Sequence, residues 1–284
     1  MPVMLPTTLE DALAALDSAP ATILAGGTDL MVEVNDGRRT PEAVVAIARI
    51  NELRGWEVDG DDWVVGAAVT YTDLLDPMVA VHSPALAAAA RTVGSPQIRN
   101  AGTIGGNLAT ASPAGDTLPV LVALDATVEI ASAAGRRTVR VVDLLTGPKR
   151  TTLGPNELIV SVRIPRWRGP QDYLKVGVRN AMVIAVASLA FAIDLDRQQV
   201  GIGLGSVGPV PIVPSAAAGW LTERLEWRAD GVTLRNNDDL DVFGARVADA
   251  AQPIDDHRST ATYRRHAVGV LARRALRRAL AFGA

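Results

Sequence analysis

The sequence predicts a fold of mixed helices and strands in two parts, and three observations predict it. At 284 residues with 48% hydrophobic content, the chain is long enough for about two domains with substantial cores. Short apolar runs alternate with helical patterns in its first half, and from Asn156 onward the pattern becomes strand-rich.

The elements follow in order. A helix opens at Thr8, with Asp11 as the capping-box acid and Leu9, Ala12, Leu13 and Leu16 as its apolar stripe, and it ends before Pro20. Residues 21–25 and 44–48 read as short buried strands, giving a small βαβ-like unit. The Asp59-Gly60 turn splits 56–69 into a hairpin, and Thr70 or Thr72 caps a short helix toward Leu75. An alanine-rich helix over 84–93 precedes a polar, glycine-rich stretch over 97–121, too long for a mere connection in a compact domain and anchored by Ile98, Ile104, Leu108 and Leu118. Residues 126–131 and 138–142 alternate like paired strands across Ala134-Gly135. In the second half, 158–164, 183–195 and 200–204 read as strands. The break at Trp167-Arg168-Gly169-Pro170 places the boundary near 167. A final helix over 268–280 sets Val268, Leu271, Ala275, Leu276 and Leu280 opposite Arg273, Arg274, Arg277 and Arg278. That basic face suits an acidic partner, a phosphate backbone or plain solvation.

Two glycine turns stand out, Ala25-Gly26-Gly27-Thr28-Asp29-Leu30 and Thr103-Ile104-Gly105-Gly106-Asn107-Leu108. Paired glycines let a backbone turn sharply and bring its amides onto phosphate oxygens. Neither turn holds Lys or Arg, so a phosphate there would depend on amides and helix N-termini, and a Walker A loop is excluded. Gly203-Leu204-Gly205-Ser206-Val207-Gly208 fits a dinucleotide fingerprint in letters only, because Pro209, Pro211 and Pro214 deny it the following helix. It reads instead as a bend or a close backbone contact in an antiparallel sheet.

Composition narrows the function. The formal charge of −3 favours neither nucleic acid nor a membrane surface. The absence of cysteine excludes a disulfide scaffold, a cysteine-ligated iron–sulfur cluster, a thiolate zinc site and a cysteinyl-linked cofactor, so any redox partner centre lies in another molecule. His82, His257 and His266 lack metal-ligand spacing. The first residues lack a signal-peptide pattern and no stretch is long and apolar enough to span a membrane, which makes the cytoplasm the expected location.

The two glycine turns, extended to Ile98-Arg99-Asn100-Ala101-Gly102 and to Ala111-Ser112-Pro113 with Asp116, closely resemble the FAD-binding subunit of the molybdenum hydroxylases, a family that includes the medium subunits of bacterial xanthine dehydrogenase and carbon monoxide dehydrogenase. The second half matches too, at Asn156-Glu157-Leu158-Ile159, Lys175-Val176-Gly177, Gly205-Ser206-Val207-Gly208-Pro209, and Asp255-Asp256-His257-Arg258 with Tyr263-Arg264-Arg265. The resemblance implies an α+β fold of the vanillyl-alcohol-oxidase, PCMH-like type. Its FAD-binding domain would cover 1–167 as two α+β subdomains, about 1–54 and 55–167, followed by a C-terminal domain of antiparallel sheet plus helices over 168–284.

It also implies the site. Ile23, Leu24, Ala25, Gly26, Gly27, Thr28, Asp29 and Leu30 would lie along the diphosphate. Thr103, Ile104, Gly105, Gly106 and Asn107 would lie on the other side of the flavin, and Thr110, Ser112 and Asp116 toward the nucleotide portion. Asp116 would accept hydrogen bonds from sugar hydroxyls; Asp29 could do the same or simply start a helix, and Thr28 and Thr110 could donate to phosphate or serve as turn residues. Ile159, with Leu158, would pack around the cofactor or simply in the core. Lys175 would raise the flavin potential from beside the ring, or be an exposed strand lysine. Val93 stands where some relatives place an aromatic ring. By this resemblance the chain holds FAD and no catalytic side chain. A large partner would hold molybdopterin and a small one 2Fe–2S clusters, and electrons would leave to NAD+, a quinone or another acceptor. Met31-Val32-Glu33-Val34-Asn35 after the first turn looks more like the xanthine branch, which makes a purine the expected substrate of the complex. A self-sufficient flavin oxidoreductase and a non-catalytic interaction subunit are the alternatives.

Overall fold

In the computed structural model, which describes residues 2–282, the chain opens with a small parallel unit: β1 (Val3–Met4), α1 (Leu9–Ser18), β2 (Thr22–Leu24), α2 (Leu30–Asn35) and β3 (Val44–Ala46). Its strands pair in the order β1-β3-β2, so β2 is an edge strand. The Thr8 hydroxyl caps α1 by accepting from Asp11 N at 3.1 Å, as the sequence predicts. Leu9, Ala12 and Leu16 turn inward to Val45, Ile47 and Leu53.

A hairpin of β4 (Trp56–Asp59) and β5 (Asp62–Gly66) follows, turning at Gly60 with φ 63°. The expected short helix near Leu75 is a 3-10 turn, Asp73–Leu75, started by Asp73 N on the Thr70 hydroxyl at 3.1 Å. Then come α3 (Pro77–His82), α4 (Pro84–Thr92), α5 (Pro96–Ala101), α6 (Ile104–Thr110) and α7 (Leu118–Ala123). The stretch over 97–121 is therefore three short helices with links at 102–103 and 111–117, where the sequence suggested one long glycine-rich loop. Its helices are too short for apolar periodicity to register, and they are set by caps instead. The side chains of Ser95 and Thr103 accept the first-turn amides of α5 and α6, and prolines sit in the first turns of α5 and α7.

Next are β6 (Thr127–Ser132), β7 (Gly135–Arg140), α8 (Val141–Leu144), β8 (Leu145–Gly147), β9 (Arg150–Thr151) and β10 (Leu158–Pro165), completing an antiparallel sheet of order β4-β5-β10-β6-β7. Strand β10 is buried on both sides. Ile159, Val162 and Ile164 face the helices, while Leu158 and Val160 face the first unit.

The last part holds β11 (Gln171–Val176), β12 (Ala187–Asp194), β13 (Gln199–Gly205), α9 (Ser215–Thr222), β14 (Leu225–Trp227), β15 (Val232–Leu234), α10 (Asp239–Ala250) and α11 (Ala261–Leu280). The antiparallel sheet β11-β12-β13 lies between α4 and α7 on one face and α9 and α11 on the other, with α10 packed on α11, which is why every residue of β12 is buried. Gly201 and Gly203 make the first contact possible. A Cβ would meet Ala123 O at 2.1 Å or Pro119 O at 1.9 Å, so the helix backbone lies directly on the strand. The dinucleotide-like glycine run thus serves strand-to-helix packing, as its prolines indicated.

On α11, Arg273 pairs with Asp241 and Arg278 with Asp172, each at 2.8 Å, while Arg274 and Arg277 are exposed. The buried Arg264 donates to Val186 O, Ser206 O and Asp256, which ties α11 to the sheet. Among the described residues no helix is long and apolar enough to cross a membrane.

Candidate functional site: a cleft between two glycine turns

A cleft of about 460 Å³ separates the small parallel unit from the β4–β10 sheet and its helices. Its first wall begins at the edge strand β2. Beyond Leu24 the chain turns through Gly26 and Gly27, the latter at φ 72°, and Met31 N donates to Gly27 O at 3.0 Å to start α2. From residue 25 to residue 30 no backbone N–H has a protein acceptor among the described residues. Residues 25–30 all line the cleft. Unspent, adjacent N–H groups ahead of a helix form an anion-binding concavity. The back of the turn is closed. A Cβ on Gly26 would lie 1.6 Å from Ala101 O, at the end of α5.

The second wall has the same letters and a different state. Ile104 N donates to Val69 O at 3.0 Å, Gly105 N to Ala67 O at 2.9 Å, Gly106 N to the Thr103 hydroxyl at 3.0 Å and Asn107 N to Thr103 O at 3.0 Å. The amides of the second turn are therefore committed to the fold. The expectation that both turns offer bare amides holds for the first alone. Gly105 serves close packing, since a Cβ there would meet Ala67 at 2.6 Å. Gly106 faces the cleft, and a Cβ there would meet only the Thr103 hydroxyl, at 3.0 Å. The Asn107 carboxamide oxygen accepts from Thr117 Oγ1 at 2.6 Å.

The cleft brings together Ile23, Leu24, Ala25, Gly26, Gly27, Thr28, Asp29 and Leu30 with Thr103, Gly105, Gly106, Asn107, Thr110 and Ile159. Five other expected positions lie outside its lining. Ile104 is fully buried, Val93 is half-buried after α4, and the Ser112 hydroxyl accepts from Ala114 N at 3.3 Å. Asp116 and Lys175 form a buried ion pair at 2.8 Å; Tyr173 donates to the same carboxylate at 2.7 Å, and the ammonium also donates to Thr92 O at 3.1 Å. Lys175 is thus neither exposed nor free. Burial holds the Asp116 carboxyl above its ordinary range against the opposing pull of Lys175 and Tyr173.

Sequence reasoning missed the charged and aromatic lining residues Glu33, Arg39, Tyr71 and Lys149. Lys149 reaches Glu33 at 2.7 Å from a hairpin distant in sequence, which no local pattern signals. That hydrogen bond, aided by the charges of Lys149 and Arg39, holds the Glu33 carboxyl below the usual carboxylate range. The Tyr71 hydroxyl is pushed up by burial and then by the charges of Asp116 and Asp29. Glu157 is neutralised by Arg137 at 2.7 Å. No group of three or more His, Asp or Glu side chains is placed to hold a metal among the described residues.

A two-walled cleft with an anion-binding turn, followed by an antiparallel sheet packed between helices, defines a flavoprotein of the PCMH-like FAD-binding type. Residues 1–167 match the FAD binding domain in molybdopterin dehydrogenase, and residues 172–279 match the CO dehydrogenase flavoprotein C-terminal domain. The chain is 32% identical over 275 residues to the glyceraldehyde dehydrogenase medium chain of Sulfolobus acidocaldarius, covering 95% of this chain and 94% of that one. It is 29% identical over 283 residues to a putative xanthine dehydrogenase FAD-binding subunit of Escherichia coli K12, with 96% and 94% coverage. A chain in the crystal structure of cyanide-inactivated Cu,Mo-CO dehydrogenase superposes with a TM-score of 0.88 at 29% identity, covering 99% of this chain and 98% of that one. The chain belongs to the FAD-binding medium subunits of the molybdenum hydroxylases, and FAD is its cofactor.

Proposed function

We propose that this chain is the electron-transferring subunit of a molybdopterin-dependent hydroxylase. It would receive electrons from iron–sulfur clusters on a small partner and pass them to NAD+ or another acceptor, in the cytoplasm. The observation that carries the reading is the run of unspent amides over residues 25–30, facing Gly106 and Thr110 across a cleft. The donor set suits a diphosphate, and the cleft is within the size range of cofactor sites.

In this reading residues 23–30 hold the diphosphate by main-chain donors. Gly106 leaves room for close approach, Thr110 donates from the opposite wall, and Ile159 packs against the ring system and excludes water. Asp116 and Lys175 lie outside the cleft lining as a buried pair whose charges offset one another, so the lysine acts on the flavin only through the dipole of that pair. The bound flavin supplies the exchange between paired and single electrons. No side chain of this chain acts as nucleophile or general base. Because the chain has no cysteine, single electrons must arrive from a centre held by another subunit.

The substrate belongs to the partner. The named relatives act in dehydrogenases of glyceraldehyde, xanthine and carbon monoxide, and the sequence after the first glycine turn favours a purine. The test is to purify the chain with whatever co-elutes, measure flavin and iron absorption and analyse for molybdenum. About one FAD per chain, with iron and molybdenum only in co-eluting subunits and flavin reduction by xanthine only in their presence, is the expected result. A colourless chain, or a flavin reduced by small donors without any partner, would overturn the reading.

A further inference from the structure

The ionisable side chains lining the cleft are the acids Asp29, Glu33 and Glu157, the bases Arg39 and Lys149, and Tyr71. Glu157 is paired with Arg137, so without the two bases Asp29 and Glu33 would face a doubly charged diphosphate uncompensated and oppose the attraction of the amides. Both bases converge on one carboxylate. Lys149 Nζ lies 2.7 Å from Glu33, and Arg39 Nη1 lies 3.8 Å from it. Among the described residues the Lys149–Glu33 contact is the one side-chain hydrogen bond or ion pair that joins residues up to 54 with the rest of the chain.

The backbone of Lys149 adds a second, independent observation. It sits between β8 and β9 at φ 54°, a left-handed conformation that glycine adopts at less cost. Its N–H donates to Ala111 O at 3.0 Å, fixing it to the end of α6, the helix that presents Gly106 and Thr110 to the cleft. A long cationic side chain thus occupies a glycine-favouring position, anchored on one wall and aimed at the other. Strained positions of this kind cluster at ligand sites.

We propose that Lys149 and Arg39 are the cationic part of the diphosphate site and that Glu33 holds them at the mouth of the cleft until an incoming diphosphate draws them away. The proposal rests on the FAD reading above and adds to it the side chains that sense the ligand's charge. Entry of the ligand exchanges one anionic partner of the two cations for another, so neither base is left unpaired, while the Glu33 carboxylate is released to solvent.

The test uses the full chain with its accompanying subunits, stripped of flavin. It is titrated with FAD by fluorescence and with ADP by calorimetry, at low and at high salt. Lys149→Gly removes the amine while relieving the backbone, so folding is preserved; it raises Kd for both ligands about tenfold at low salt and by less at high salt. Arg39→Gln raises both about threefold, and Glu33→Gln lowers both by a similar factor. Unchanged affinities in Lys149→Gly would overturn the proposal while leaving the FAD reading intact. Weaker binding in Glu33→Gln would make the pair a strap and overturn the charge-exchange assignment. A wild-type chain that binds ADP with this Lys149 dependence, yet takes up no FAD, would support the diphosphate site and sink the FAD reading.

Discussion

The two glycine turns are near twins in sequence and opposites in the fold. The first leaves its amides over residues 25–30 without protein acceptors, whereas the second commits those of Ile104, Gly105, Gly106 and Asn107 to Val69, Ala67 and Thr103. Paired glycines therefore mark two separate needs. In the first turn they free donors for a ligand; in the second they let α6 lie close against the chain after β5 and leave a smooth surface toward the cleft. The difference lies in what precedes each turn. An edge strand feeds the first, so its outer amides have no neighbour, while the second follows Thr103, which caps its own helix.

The largest expected effect comes from making the first turn resemble an ordinary one. Gly26→Ala drives a methyl into the Ala101 carbonyl, 1.6 Å from where its Cβ would lie, so the walls must part. A loss of at least about 3 kcal/mol in chemical denaturation is expected, with loss of flavin. Gly106→Val separates folding from binding. Apart from its chain neighbours and its own helix backbone, the new Cβ meets the Thr103 hydroxyl alone within 4 Å, and valine is a better helix former than glycine. Denaturation should shift by less than about 1 kcal/mol, while bound flavin falls at least about tenfold. If stability and flavin fall together, the second wall is not the smooth surface described.

The smallest effect is at the mouth. Lys149 depresses the Glu33 pKa below its ordinary 4.5, so the stabilisation from this pair is complete above that value and is lost as pH falls toward the lower folded value. The stability gap between wild type and Glu33→Gln should be about 0.5 kcal/mol near neutrality and vanish in acid. A gap that grows on acidification would show the pairing to be wrongly assigned.

Much of the architecture was legible because its signals are local. Thr8 with Asp11, the Asp59-Gly60 turn, the apolar runs of β10 and β12, and the arginine-faced last helix each declare themselves within a few residues. The short helices between Pro96 and Ala123 did not, since caps rather than periodicity define them. Both cleft walls were legible as glycine turns, yet not which of them keeps free amides, because that depends on acceptors at Ala67 and Val69. The Asp116–Lys175 pair joins residues 59 apart, and the Lys149–Glu33 pair residues 116 apart. Each of those side chains can be named from sequence, but the partner is fixed only when the sheets pack.

Amide hydrogen exchange, residue by residue, addresses the contrast most directly. In the flavin-free protein the amides of residues 25–30 should exchange fast and those of Ile104, Gly105, Gly106 and Asn107 slowly; on adding FAD the first set should become protected while the second barely changes. Protection of the first set without FAD, or gain of protection confined to the second set, would contradict the account.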